Sequence, residues 1–221
     1  ANYVKATGPI WSADRITGFE FQETLAPHRT GTIRAKHIIS CVGPWTDLLG
    51  HAVQTNWKPV LNPSRGVHIV FDAKRFPVPG AMIMAHPVDG RVSFVIPRED
   101  FGAGVVIVGT TDGPANPIPE QTVVEAEDID YLLNLLAGYF PDLGLSHADI
   151  VSTYVGVRPL VKDAAAASLQ KVSREHTVWP GPGGTVFVAG GKYTTHRTMA
   201  DEIVEHAVPG SKHLWSTRDT L

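Results

Sequence analysis

Three side chains able to do chemistry interrupt otherwise apolar, β-patterned runs. His68 lies inside "GVHIV", Arg158 inside "YVGVRPLV", and Arg174 opens "REHTVW" just after a loop. An imidazole accepts a proton near neutral pH, and a guanidinium offers a planar fork of donors to a phosphate or carboxylate. A buried arginine requires an anionic partner, because an unpaired charge inside a protein is very costly. That partner is either one of the chain's 22 acidic residues or a ligand. His68 is likewise either a satisfied core histidine or an acid–base group. Asp112, in "GTTDG", reads as a turn residue rather than a chemical one.

A fourth feature is "TVFVAGGKYTTHRTMADEIVEHAV", residues 185–208. Val186, Phe187 and Val188 read as a short buried strand. Met199, Ala200, Ile203, Val204 and Ala207 then recur at helical spacing until Pro209-Gly210 ends the pattern. Thr194 or Thr195 is placed to cap that helix. Gly190 and Gly191 therefore occupy a strand-to-helix turn, with Lys192 beside them. Such a turn lets a ligand approach the backbone, and free helix N–H groups favour an anion or a polar ring edge. An ordinary tight turn has the same signature. Two phosphate motifs are absent. Val186 and Tyr193 occupy positions where a P-loop needs Gly and Ser or Thr, and Gly102-Ala103-Gly104 is not completed because Ile107 replaces the last glycine.

The elements that must position these residues are legible from periodicity. Residues 1–43 pattern as short strands joined by turns, and Thr46 opens a short helix after Gly43-Pro44-Trp45. "RGVHIVFD" alternates as a strand. "AMIMAHPVDGRVSFVIPR" reads as a hairpin around Asp89-Gly90, with Val92, Phe94 and Ile96 on one face of its second arm. "GVVIVGTTD" is a further strand. Thr122 with Glu125 has capping-box spacing ahead of a helix through Ile129, Leu132, Leu133, Leu136 and Phe140. "IVSTYVGVRPLV" returns to β alternation, "DAAAASLQ" reads as a loop, and "PGPGG" as a turn. The middle is mostly antiparallel sheet plus one long helix, and both ends carry β/α junctions.

Composition bounds the function. A net charge of −3, from 19 basic and 22 acidic residues, gives no sign of a nucleic-acid surface. The single cysteine, Cys41, excludes an internal disulfide and fits a reducing compartment. Ten histidines show no metal-ligand spacing, so no metal site is expected. No segment reads as a membrane span or signal peptide. The start "ANYVKATG", without an initiator methionine, reads as processed or truncated.

With these residues in view, the chain resembles the FAD-dependent glycerol-3-phosphate dehydrogenase and oxidase family. The matching segments, in the family's order, are "IISCVGPWTD", "RGVHIVFD", "DGRVSFVIPRED" running into "VGTTDG", "DIDYLLNLLAGYFP", "VGVRPLV", "SREH" and "GGKYTTHRTMAD". The resemblance implies a mixed α+β / α/β fold of two domains. Residues 1–57 and 181–221 would be a remnant of a glutathione-reductase-like FAD domain, and 58–180 a mostly antiparallel substrate-binding sheet with helices. It implies an internal fragment, lacking an upstream G-x-G-x-x-G turn and a helical C-terminal cap.

The resemblance also assigns roles. His68 would sit beside the substrate C2 hydroxyl as the base. Arg158 would hold that hydroxyl or the phosphate, and Arg174 would bind phosphate. Gly190, Gly191, Lys192, Thr194 and Thr195 would meet the flavin. Cys41, Val42 and Gly43 match the family's A-T-G turn near the adenine half, with Cys-Val replacing Ala-Thr. Arg65 stands where many members carry lysine. The implied reaction oxidises glycerol 3-phosphate to dihydroxyacetone phosphate, with quinone or oxygen as the electron acceptor. Full-length dehydrogenases of the family sit in the cytoplasm or peripherally on a membrane. The fragment alone is expected to be inactive, to lack bound FAD and to self-associate. The alternatives are another FAD-dependent amine or hydroxyacid oxidoreductase, or a flavin-free phosphate-ester binding module.

Overall fold

The computed structural model describes residues 2–162 and 175–211. In chain order the strands are β1 (Val4–Ser12), β2 (Arg15–Glu23), β3 (Thr30–Arg34) and β4 (Ile39–Ser40), followed by helix α1 (Thr46–Val53). Next come β5 (Ser64–Asp72), β6 (Met82–Ala85), β7 (Val92–Arg98), β8 (Val105–Gly109), β9 (Gly113–Pro114) and helix α2 (Ala126–Tyr139). The last are β10 (Ile150–Arg158), β11 (His176–Pro180), β12 (Val186–Gly190) and α3 (His196–Ala207). The chain divides into two compact units. One joins residues 1–62 to 159–221, and the other is Pro63–Arg158. The sequence grouped β11 with the antiparallel middle. Instead it pairs with β12 from His176↔Gly190 to Pro180↔Val186, so it belongs to the discontinuous unit.

The Pro63–Arg158 unit is built on an antiparallel sheet of order β10-β5-β8-β7-β6, with β9 added against the start of β5. Alternation sends the odd-numbered residues of β5 to one face. Ile69 pairs with Val108, which pairs with Val95, and all three are fully buried under α2. The helix contributes Leu132, Leu135 and Leu136, each 0% exposed, and Phe71 and Phe76 close the same core with edge-on rings. The capping of α2 differs from the expected Thr122–Glu125 box. The helix starts later, at Ala126, and the Asp128 carboxylate accepts from the Glu125 N–H at 3.2 Å.

In the discontinuous unit, β1, β2 and β3 form an antiparallel meander, and β12 lies between antiparallel β11 and parallel β4. Phe187 fills its core, with Trp57 and Trp179 rings 5.1 and 5.9 Å away and Ile16 and Val53 beside it. The "DAAAASLQ" reading and Arg174 lie outside the described residues. Among the described residues no helix is long and apolar enough to cross a membrane.

Leu132 makes the α2–sheet core testable. Leu132→Ala is expected to lower the unfolding free energy by about 2–5 kcal/mol, from lost transfer energy plus a cavity. Urea unfolding followed by circular dichroism measures it. A loss under about 1 kcal/mol would mean α2 is not what closes the sheet.

Candidate functional site

The face of the β10–β6 sheet turned away from α2 carries the candidate side chains His68 and Arg158. Strand register aligns Tyr154, His68, Gly109, Phe94 and Ile83 in one row across five strands. Two residues towards the start of β5, Gly66 pairs with Gly156, and two further on Ser64 pairs with Arg158. Strand alternation therefore puts Arg158 on one face with Tyr154 and Gly156, and the pairing with β5 adds His68 to it.

Glycines make room for both functional side chains. A Cβ at Gly109 would overlap the His68 ring, and one at Gly66 would overlap the Arg158 guanidinium. The His68 ring stacks on Tyr154 at 4.7 Å with 7° between planes. Its Nδ1 is buried with no hydrogen-bond partner among the described residues, so it is not the satisfied core histidine of the simpler reading. Burial, and secondarily the charge of Arg158, hold the imidazole below its ordinary value of 6.5. His68 is therefore a neutral imidazole at physiological pH.

Arg158 is held on all four terminal N–H positions. Nη1 donates to Ser64 Oγ at 3.3 Å and to the Arg65 carbonyl at 3.0 Å. Nη2 donates to Thr110 Oγ1 at 2.9 Å and to the Thr111 carbonyl at 3.2 Å. The Asp112 carboxylate is 3.6 Å from Nη1 and accepts the Ser64 hydroxyl proton. Arg91 in turn donates to the Asp112 carbonyl at 2.7 Å. The acidic partner of this half-buried arginine is Asp112, which its sequence context marks only as a turn residue. Both terminal nitrogens face the protein, so Arg158 presents charge to the site rather than an open bidentate fork. Arg65, on the other face of β5, pairs with Asp128 at 2.9 Å.

The discontinuous unit brings its own expected residues together. Parallel pairing of Ile39 with Val186 and of Ser40 with Phe187 puts the C-terminal ends of β4 and β12 at the same sheet edge. Each strand runs into a glycine turn and then a helix: Cys41-Val42-Gly43 before α1, and Gly190-Gly191-Lys192 before α3. Ligands of α/β sheets bind at this edge, outside the strands' carboxyl ends. Gly43, Gly190 and Gly191 have φ of +54°, +78° and +83°, a region that favours glycine. The packing of the chain itself demands two of them. A Cβ at Gly190 would strike the Glu175 carbonyl, and one at Gly191 the Met199 thioether. Thr195 does not cap α3, because its hydroxyl donates to the Lys192 carbonyl at 3.0 Å. Lys192 and Thr194 are exposed, and their side chains make no hydrogen bond to another described residue. An exposed ammonium and hydroxyl beside backbone N–H donors suit an anion or a polar ring edge.

Comparison with known proteins places the chain. The model of the FAD dependent oxidoreductase family matches residues 4–205, and the chain belongs to that family. It is 34% identical over 219 residues to the mitochondrial glycerol-3-phosphate dehydrogenase of Rattus norvegicus, covering 94% of this chain and 29% of that protein. It is 37% identical over 206 residues to the aerobic glycerol-3-phosphate dehydrogenase of Staphylococcus haemolyticus, covering 92% and 36%. The chain thus spans about a third of the length of these curated relatives. Among solved structures, the glycerol-3-phosphate dehydrogenase from Bacillus halodurans complexed with FAD superposes with a TM-score of 0.79 at 32% identity, over 95% of this chain and 39% of that one. Glycine oxidase from Bacillus cereus, at 15% identity and a TM-score of 0.59, shares the fold.

The lowered pKa of His68 has a signed consequence. The folded chain holds His68 below 6.5 and the unfolded chain does not, so protons bind the unfolded state better. The unfolding free energy should fall as pH drops through 6.5 and be fully present above it. Tyr154→Ala hydrates the ring and should raise the His68 midpoint towards 6.5, read by proton NMR titration. An unchanged or lower midpoint would rule out burial against Tyr154 as the cause.

Proposed function

We propose that this chain is the substrate-binding sheet and closing flavin segment of an FAD-dependent glycerol-3-phosphate dehydrogenase. The observation that carries the reading is the His68 face, where a neutral imidazole lies beside a fixed positive charge. That pairing suits a phosphorylated alcohol, because the charge attracts the ester and the imidazole takes a hydroxyl proton. The similarity to glycerol-3-phosphate dehydrogenases at 34–37% identity supports this substrate over an amine or hydroxyacid.

The alcohol's C2 hydroxyl lies against His68, which accepts its proton as the C2–H bond breaks. FAD, when bound, supplies the hydride acceptor. Lys192, Thr194 and the N–H groups of the Gly190–Gly191 turn would hold its ring and sugar end, with Cys41, Val42 and Gly43 towards the adenine end. Arg158 contributes charge to the phosphate or the hydroxyl from its fixed position, and Arg174 is assigned a phosphate contact on sequence alone. The electrons leave to quinone or oxygen.

The test uses FAD-loaded protein containing this chain, sn-glycerol 3-phosphate and a dye acceptor. His68→Ala should lower kcat by about 10²–10⁴-fold, the usual contribution of a general base, with a much smaller change in KM. Bleaching of the flavin by this substrate, and not by glycine or proline, is the accompanying result. Equal effects on kcat and KM would remove His68 as the base, and no bleaching would remove the substrate.

A further inference from the structure

Arg158 reaches its position by an arrangement that neither of its own strand neighbours explains. Its Cα stands opposite Ser64, yet its guanidinium extends along the sheet to lie over Gly66, one residue row from His68. A side chain at position 66 would occupy that place, because a Cβ there overlaps both the guanidinium and Thr110 Oγ1. Asp112 lies behind the guanidinium at 3.6 Å, tied to Ser64, and Arg91 anchors its backbone carbonyl. Ser64 is fully buried and the Asp112 side chain largely so, which strengthens their interactions relative to water.

We propose that Gly66 and Asp112 are positioning residues that act on the site only through Arg158: Gly66 is the seat that lets the guanidinium lie flat beside His68, and Asp112 is the counter-charge that keeps it there. The assignment rests on the reading of the His68 face as the site of a phosphorylated alcohol. It gives Gly66 a reason that backbone conformation does not, since its φ lies outside the left-handed region.

The charged and titratable groups around His68 are few. β10 contributes Tyr154 and Arg158, and the segment after β8 contributes Asp112. Arg98 at the end of β7 is engaged by Asp100 at 2.6 Å, and Arg65 points to the opposite face of β5. Among the described residues Arg158 is the cation whose charge lowers the His68 pKa, so displacing it removes that effect, while Gly66→Ala changes no charge at all.

The experiment is a double-mutant cycle with two readouts on the same chain. Arg158→Met should weaken binding of glycerol 3-phosphate, and of inorganic phosphate as a second probe, by about tenfold, the scale of one charge-assisted interaction. Gly66→Ala and Asp112→Asn should each reproduce most of that loss. In the Arg158→Met background both should change affinity by less than about twofold, because residues that act through one partner are not additive. The NMR midpoint of His68 should rise towards 6.5 in Arg158→Met and in Gly66→Ala alike, which a merely structural role would not produce. Far-ultraviolet circular dichroism confirms folding, and Asp112→Asn carries the cycle if Gly66→Ala does not fold. Losses of equal size in both backgrounds, or a His68 midpoint unmoved by Gly66→Ala, overturn the proposal. If the cycle holds but loaded protein does not oxidise glycerol 3-phosphate, the dehydrogenase reading fails and the positioning role stands. If oxidation occurs and the cycle is additive, the reverse follows.

Discussion

A full positive charge set into a sheet face must be hydrogen-bonded and neutralised, and in this chain that requirement organises the surroundings of Arg158. Four terminal N–H groups find Ser64, the Arg65 and Thr111 carbonyls and Thr110, while Asp112 supplies the opposite charge. These partners come from the start of β5 and from the segment between β8 and β9, so the arginine of β10 ties three non-consecutive strand ends to one point. The row beside it then follows. Gly66 is small because the guanidinium lies over it, and Gly109 is small because the His68 ring lies over that. Tyr154, two residues before Gly156 on β10, closes the ring's other side.

The same sheet is unusual in being apolar on both faces. One face packs on α2 in the ordinary way, with Ile69, Val95 and Val108 fully buried. The other keeps Phe94 at 42% and Ile83 at 72% exposure in the row of His68. A sheet solvated on one side normally alternates apolar-in and polar-out, and contiguous exposed apolar surface marks a place where something binds. This background matters for the chemistry as well. A low-dielectric wall beside His68 disfavours imidazolium and strengthens the field of Arg158 at short range.

Much of the fold was legible because periodicity reports burial directly. The β5 alternation, the Asp89-Gly90 hairpin and the α2 stripe through Leu132 and Leu136 all appear where the pattern puts them. His68 and Arg158 were legible as candidates because a polar residue in an apolar strand is locally inconsistent. Asp112, Gly66 and Gly109 were not. Their roles depend on cross-strand register between segments more than 40 residues apart, which no local pattern encodes. Within "GTTDG" an aspartate beside glycine looks like any turn, and only the pairing of β5 with β8 and β9 turns it towards Arg158. The capping residues differ for separate reasons: Thr195 does stand at the N-cap of α3, but its hydroxyl turns back to the Lys192 carbonyl, whereas α2 starts three residues later than the Thr122 box requires, with Glu125 at its N-cap.

The neutral state of His68 and the fixed state of Arg158 bear on each other once a phosphate ester is considered. In the free chain, burial and secondarily the charge of Arg158 oppose protonation of His68, so the imidazole is a weaker base than usual. A phosphate group drawn to Arg158 would offset part of that charge. The ester would therefore raise the basicity of the group proposed to deprotonate its own hydroxyl, and an alcohol lacking the phosphate would not. Linkage makes this reciprocal: protonation of His68 would strengthen binding of the anion by the factor through which the anion raises its proton affinity. Preference for the phosphorylated alcohol would then come from the proton-transfer step as well as from binding. It would also depend on Arg158 staying in place when the anion arrives, because a mobile guanidinium would follow the phosphate and weaken the coupling to His68.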